Sequence, residues 1–234
     1  MLGWAEARCR ESLPRVPDGI RMTMVANTIS SDAERHGQLE RACFKLIRHF
    51  FDMKIKLDTR PPTPQWPEGV TLFHYQTMEE VLANLEMIMK AVNESFRDHF
   101  GFVERSMEQV IELWTHRIAT DTEFDPTLWF LAMDGDEVAG TSLCRRCSWE
   151  DPEEAYVAIL AVRRSWRRHG LGLALLHHSF GEFYRRGKPR AGLGVDAGSL
   201  TGAVGLYERA GMHVTRQYDA YEKELRAGED IRVQ

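Results

Sequence analysis

Residues 158–187 read AILAVRRSWRRHGLGLALLHHSFGEFYRRG. Ala158–Val162 is an apolar run with the length and texture of a buried strand. Arg163–Gly172 is a basic, glycine-containing turn. Beyond it, apolar residues return at helical spacing: Leu171, Ala174 and Leu175, then Phe180 and Phe183. The order is strand, glycine turn, helix N-terminus. It offers an anion unpaired backbone N–H groups, the positive end of a helix dipole and several arginines.

The rest of the composition narrows what that anion can be. The chain has 234 residues, enough for one large domain or a domain and a half. Its net charge of −5 argues against general nucleic-acid binding. The arginines cluster locally, which suits a small anionic ligand better than a polyanion. No apolar run approaches the roughly 20 residues that span a bilayer, so no membrane partner is expected. The N-terminus, MLGWAEARCRESLPR, carries charges where a signal peptide needs an apolar centre, and a cytoplasmic location is expected. Cys144 and Cys147 form one CxxC without a second pair or suitably spaced histidines. Reduced cysteines are expected there rather than a zinc site, and no metal is expected.

Taken in order, Trp4–Leu13 reads as a helix and Ile20–Ala26 as a strand. Ser31 and Asp32 are caps for a helix running through Arg41. Phe44–Phe51 and Asp52–Leu57 read as two strands. Asp58–Gly69 is proline-rich and extended. Val70–Tyr75 is strand-like, and Thr77 with Glu80 forms a capping box before an apolar stripe from Val81 to Phe96. Asp98–Phe102 is a break, and Ser106–Ala119 a second amphipathic helix. Leu128–Met133 and Glu137–Cys147 flank a hairpin turn at Asp134-Gly135-Asp136. A central strand spans Glu154–Val162, with Ala191–Val195, a short helix Thr201–Arg209 and strands at Met212–Tyr218 and Tyr221–Leu225 after it. The class is α/β, with a mixed sheet.

A shift of 168 positions aligns Leu39–Leu57 with Tyr207–Leu225 without a gap. Glu40, Arg41, Ala42, Arg48 and Leu57 match Glu208, Arg209, Ala210, Arg216 and Leu225, while Leu39 stands opposite Tyr207. Upstream, Ser31 and Gly37 match Ser199 and Gly205. Such similarity indicates two copies of one unit. The expected organisation is a partial, non-catalytic unit at 1–58, a linker at 59–69, a complete domain at 70–225 and a polar, frayed tail at 226–234.

Arg167-Arg168-His169-Gly170-Leu171-Gly172 matches R-x-x-G-x-G. Glycine lets backbone approach a phosphate closely, and the guanidinium groups of Arg167 and Arg168 can pair with phosphate oxygens. The pieces LAVRRSWRRHGLGLALL, VDAGSLTGA and LYERAG, in that order and spacing, resemble the GNAT superfamily of N-acetyltransferases. Val70–Leu225 resembles the C-terminal domain of tandem GNAT enzymes, and residues 1–58 resemble the tail of their N-terminal domain. The resemblance implies the GNAT acyl-CoA N-acyltransferase fold, with an additional partial GNAT-like unit. It implies acetyl-CoA as cofactor and the primary amine of a small molecule or peptide as acceptor.

It also distributes roles. The backbone of Leu160, Ala161 and Val162 would pair with the pantetheine arm. Amides from Arg167 or Arg168 through His169, Gly170, Leu171, Gly172 and Leu173 would hold the pyrophosphate. Ser199 stands where the family usually has asparagine, and Ala203 and Leu206 would line the cofactor side of the short helix. Tyr207 matches the tyrosine that faces the sulfur and acts as acid. An ammonium has no lone pair, so a base is needed. Glu154 is the candidate, because period two places Glu154, Tyr156, Ala158 and Leu160 on one face. It acts directly or through water; the alternative is a solvated strand end beside Glu153 and Asp151. His99 is either an acceptor contact or a turn residue, and His177 and His178 are packing or surface residues. The acidic residues Asp98, Glu150, Asp151, Glu153 and Glu154 suit a cationic amine. A catalytically silent CoA-binding or partner-binding module is the competing reading, and a monomer or a homodimer is expected.

Overall fold

The computed structural model describes residues 2–199 and 202–233. Helix α1 (Leu2–Arg10) precedes strand β1 (Met22–Ile29), helix α2 (Ala33–Arg41) and strand β2 (Lys45–Lys56). An extended segment leads to β3 (Val70–His74), α3 (Met78–Ala83), α4 (Leu85–Phe96) and α5 (Met107–Thr120). Then come β4 (Trp129–Asp134), β5 (Glu137–Arg145), β6 (Glu154–Val162), α6 (Leu171–Arg185), β7 (Arg190–Asp196), α7 (Ala203–Arg209) and β8 (His213–Arg226). Local chemistry starts several helices. The Asp32 carboxylate accepts from the Arg35 N–H at 2.9 Å and caps α2. Capping boxes at Thr77/Glu80 and Ser106/Gln109 open α3 and α5.

The apolar stripe expected as one helix from Val81 to Phe96 is two helices, α3 and α4. The Asn84 side chain donates to the Glu80 carbonyl at 2.9 Å, and such local bonding competes with helix continuation. Thr201, the expected start of α7, lies outside the described residues; Gly202, at φ +71°, precedes the helix.

All eight strands join one sheet, in the order β1-β8-β2-β7-β6-β5-β4-β3. β6 and β7 are parallel, and the other neighbours are antiparallel. The N-terminal strand β2 is therefore inserted between β7 and β8. It pairs with β7 from Phe50 to Lys56 and with β8 from Lys45 to Lys54. The two short strands expected at 44–51 and 52–57 are one strand, and so are the two expected at 212–218 and 221–225.

The 168-residue repeat is visible as structure. β1, α2 and β2 recur as β7, α7 and β8. Phe50 pairs with its own repeat-mate, Tyr218. On either side, Lys45 faces Glu222 and Lys54 faces His213, pairs that the repeat interchanges. Ile47 on β2 and Thr215 on β8 are the extra residues of matching bulges. The two units thus exchange their last strands about a local two-fold axis through the Phe50–Tyr218 pair.

Two apolar layers cover the sheet. Phe180, Phe183, Leu175 and Leu176 of α6 pack on one face with Met53, Ala155, Val157, Leu193 and Val195. Val81, Leu85, Ile88, Met89 and Val92 pack on the other with Trp129, Leu131, Leu143 and Ala161. Between Val157 and Ile159 the β5–β6 register slips, leaving Ala158 as a bulge. An extra residue reverses the alternation. Leu160 and Val162 consequently pack in the α6 layer and Ile159 in the α4 layer. The period-two expectation therefore fails beyond the bulge: Leu160 is not on the face of Glu154 and Tyr156.

The tail is held rather than frayed. Glu229 bridges Ile20, and Val233 exchanges backbone hydrogen bonds with Gly101 (2.7 Å) and Phe102 (3.0 Å). No helix among the described residues is long and apolar enough to cross a membrane.

Because β2 sits mid-sheet, unfolding of the N-terminal unit must open the whole sheet. A single cooperative thermal transition is expected. Met53 is fully buried on β2, and Met53→Ala should lower the stability of that one transition by about 2–5 kcal/mol. Calorimetry showing two separable transitions, with only one moved by the substitution, would contradict this.

Candidate active site

β6 and β7 pair only at Glu154–Arg190, Ala155–Ala191 and Tyr156–Gly192. Past that point they diverge. The rest of β6 remains paired with β5 on one edge and turns its other edge to a cleft. A cavity of about 340 Å³ occupies the divergence, lined by Val157–Leu160, Leu193–Asp196, Phe50–Asp52, His99, Ser199, Ala203 and Tyr207. A larger open groove of about 730 Å³ lies between α4 and the β4–β5 turn; it shares no lining residue with this cavity and is lined by paired charges such as Glu94 and Arg163.

The glycine turn stands at the mouth of the divergence. Arg168 (φ +67°) and Gly170 (φ +83°) both adopt the left-handed region, which bends the chain sharply into α6. The N–H groups of Arg168, His169, Gly170, Leu171, Gly172 and Leu173 donate to no described residue. Space above Gly170 is open, and a side chain on Gly172 would press within 3.0 Å of Leu206 on α7. Six successive free donors at a helix N-terminus fit a pyrophosphate. Leu171 itself is buried in the core, so its contribution to an anion is its backbone.

The arginines are used differently from the expectation. Arg167 donates to the carbonyls of Val162 (3.1 Å) and Ser95 (2.9 Å) and lies 3.5 Å from Asp98, tying the turn to the end of α4. Arg164 also pairs with Asp98, and Arg163 with Glu94 at 2.7 Å. Asp98 is thereby turned to the arginines rather than to the cleft. Arg168 and His169 remain exposed beside the free donors.

Leu160 lines the cavity, whereas Ala161 is buried against the α4 layer and Val162 packs against the α6 layer. Ser199, Ala203 and Tyr207 line the opposite wall, and Leu206 packs against the α6 layer. Tyr207 is 8% exposed, and its hydroxyl bonds to no described residue. Burial pushes its phenol up to about 12, with Tyr156 adding a smaller push. His99 packs tilted against Phe96, ring centroids 4.2 Å apart, and lines the cavity; burial lowers its imidazole below the ordinary value. His178 packs against Phe130 at 4.6 Å, as a core residue does.

Glu154 is 3% exposed. Its Oε2 lies 2.6 Å from the Lys54 ammonium, an ion pair in contact but outside hydrogen-bonding angles. Its side chain fills the space over Gly192, where a Cβ would meet Oε1 at 2.8 Å. Glu154 lines a second cavity, of about 180 Å³, together with Asp52, Glu150, Tyr156 and Tyr218. Asp151 is held by Arg190 instead. Cys144 and Cys147 are free thiols, and no described cluster of histidine, cysteine and carboxylate residues suits a metal ion.

Sequence reasoning missed the contribution of β2. Arg48, Phe50, Asp52 and Lys54 alternate onto one face and form a wall of the cleft. Arg48 grips Asp196 with two bonds (2.9 and 2.8 Å), bonds to the Gly198 carbonyl and lies over Phe100. Arg48 was visible as a repeat match with Arg216, but nothing local assigned it to a site.

Residues 85–212 match the acetyltransferase (GNAT) family. The chain is 32% identical over 179 residues to the mycothiol acetyltransferase of Streptomyces scabiei, which covers 74% of this chain and 53% of that protein. It thus spans about half the length of this curated relative. A GCN5-related N-acetyltransferase from Sphaerobacter thermophilus superposes with a TM-score of 0.78 at 32% identity, over 98% of this chain and 68% of the other. A tandem GNAT protein from the clavulanic acid biosynthesis pathway gives 0.63 at 16% identity, over 97% and 70%, a likeness of fold. The chain belongs to the GNAT family of acetyltransferases.

Tyr75, Tyr156 and Tyr207 are all pushed to about 12 by burial. Their phenols stay protonated in the folded chain while unfolded ones ionise near ~10. The resulting stability is complete below pH ~10 and is lost as pH rises through about 12. A spectrophotometric titration should show part of the tyrosinate signal only on unfolding, and Tyr207→Phe should reduce that part. Full ionisation near pH ~10 with the fold intact would contradict the burial.

Proposed function

We propose that the protein is an acetyl-CoA-dependent N-acetyltransferase acting on a primary amine of a small molecule or peptide. The observation that carries this reading is the alignment of three features along one cleft. They are six N–H groups that donate to no described residue, a diverging strand edge and a buried tyrosine whose hydroxyl bonds to no described residue. The amides of Arg168–Leu173 would hold the pyrophosphate, Arg168 and His169 would flank it, and the Arg167 guanidinium fixes the turn. The free edge of Leu160–Val162 receives the pantetheine arm. Ser199, Ala203 and Leu206 close the cofactor wall. When bound, acetyl-CoA supplies the activated acyl group as a thioester.

Tyr207 is the residue that would meet the sulfur of a bound acetyl-CoA. At about 12 it is a weaker acid than a thiol, whose ordinary value is near ~8.5. Its role is therefore to hold a departing thiolate by a hydrogen bond, keeping its own proton. Glu154, matched in charge by Lys54, fixes the floor of the cleft where the strands part. The cleft is closed to bulk water on the α6 side by the apolar layer, which strengthens both interactions. A binding module without catalysis would need the same cradle but no tyrosine at that position.

Acetyl-CoA should raise the melting temperature of the wild type. Gly170→Ala adds only the strain of a left-handed alanine, about 1–2 kcal/mol. Gly170→Asp adds a negative charge beside the pyrophosphate and should remove the shift. If Gly170→Asp binds acetyl-CoA as well as Gly170→Ala does, the turn is not the phosphate site. Tyr207→Phe should lower kcat by about 100- to 1000-fold, the range for one lost donor to a developing anion. Its acetyl-CoA affinity should stay within about twofold. Unchanged kcat in the thiol-release assay removes Tyr207 from the chemistry.

A further inference from the structure

We infer that Asp52, carried into the cleft by the exchanged strand β2, is the group that takes the proton from the acceptor ammonium. This rests on the acetyltransferase reading above and adds a residue that the N-terminal unit supplies. Geometry selects Asp52 from among the carboxylates. Among the described carboxylates it alone lines both the 340 Å³ cavity that holds Tyr207 and the adjoining 180 Å³ cavity that holds Glu150 and Glu154. It stands where the two spaces meet, on the opposite wall from α7.

The other carboxylates are committed to close cations. Glu154 lies 2.6 Å from Lys54, Glu150 lies 3.1 Å from Arg216, and Asp196 is gripped by Arg48 at 2.8 Å. Asp98 and Asp151 are turned to Arg164 and Arg190. Among the described residues the nearest cation to Asp52 is Arg216, with Nε at 4.0 Å. The groups facing Asp52 are Arg216 and Tyr218 from β8, Lys54 from its own strand, Glu150 from the loop before β6, and Tyr156 from β6. Burial outweighs the two cations and holds its carboxyl above the usual carboxylate range, which makes it a better proton acceptor. Tyr207 lines the same cavity as Asp52, and the residue is over nine-tenths buried there.

The step balances as follows. One ammonium proton moves to an Asp52 carboxylate oxygen and leaves a lone pair on nitrogen. That pair forms the C–N bond to the acyl carbon, the C–S bond breaks, and its electrons leave on sulfur. A second nitrogen-bound proton neutralises the sulfur, and Asp52 returns its proton to solvent. The acceptor class is a primary alkylammonium, whose pKa of about 10 makes a base necessary near neutrality.

The test compares two nucleophiles in the thiol-release assay. Ethanolamine is protonated at neutral pH and needs the base; hydroxylamine is largely uncharged there and does not. Asp52→Asn keeps the shape of the side chain. It should lower kcat/KM for ethanolamine by about 100-fold or more, and for hydroxylamine by less than about threefold. With ethanolamine, the wild-type profile should be flat around neutrality. That of Asp52→Asn should climb about tenfold per pH unit toward the amine's own pKa, because only the free amine then reacts. The acetyl-CoA melting shift should survive in Asp52→Asn and reports that it is folded. Asp52→Glu, which keeps the carboxylate, should retain the flat profile. Equal loss with both nucleophiles, no loss with either, or no thiol release by a wild type that binds acetyl-CoA overturns the assignment. A wild type that shows no acetyl-CoA shift removes the cofactor reading and this assignment with it.

Discussion

The structure depends on the insertion of β2 between β7 and β8. Strands of one unit normally pair among themselves, since short connections favour neighbours. Here each unit gives its last strand to the other, and the register is symmetric about the Phe50–Tyr218 pair. Matching bulges at Ile47 and Thr215 let both long strands twist through the exchange. Beyond Phe50, β2 alternates between two tasks. Phe51, Met53 and Ile55 face the α6 layer, while Phe50, Asp52 and Lys54 face the cleft.

That insertion ties stability to function. Met53 anchors the strand in the core, and the same strand holds Lys54 against Glu154 and Arg48 against Asp196. Arg48 also lies over Phe100, in the segment after α4 that carries His99 into the cavity. The tail joins the same arrangement, since Val233 pairs with Gly101 and Phe102. The N-terminal unit is therefore a wall of the cleft. Its single copy of Glu-Arg-Ala preserves a fold element rather than a second site: Leu39 is a buried core residue where Tyr207 faces a cavity.

Much of this was legible in the sequence, because much of it is local. The glycine turn, the helix it opens and the Thr77/Glu80 capping box depend on residues within one turn of each other. The repeat was legible too, as a gapless shift. What was not legible depended on pairing across the chain. Residues 44–57 read as two strands that meet at Phe51 and Asp52; only the partners on β7 and β8 reveal one continuous strand with Asp52 on the cleft face. The bulge at Ala158 is invisible in an apolar run, yet it reverses the alternation and separates Leu160 from Glu154. The arginine cluster misled for a related reason: Arg163, Arg164 and Arg167 are neutralised by carboxylates about 70 residues away, on or just after α4.

A crystal structure with CoA bound tests the account most directly. It should show the pyrophosphate on the amides of Arg168–Leu173, the pantetheine along the free edge of β6, and the sulfur between Tyr207 Oη and the space that Asp52 lines. CoA bound in the groove beside α4, or a sulfur walled off from β2, would contradict a cleft built by both units.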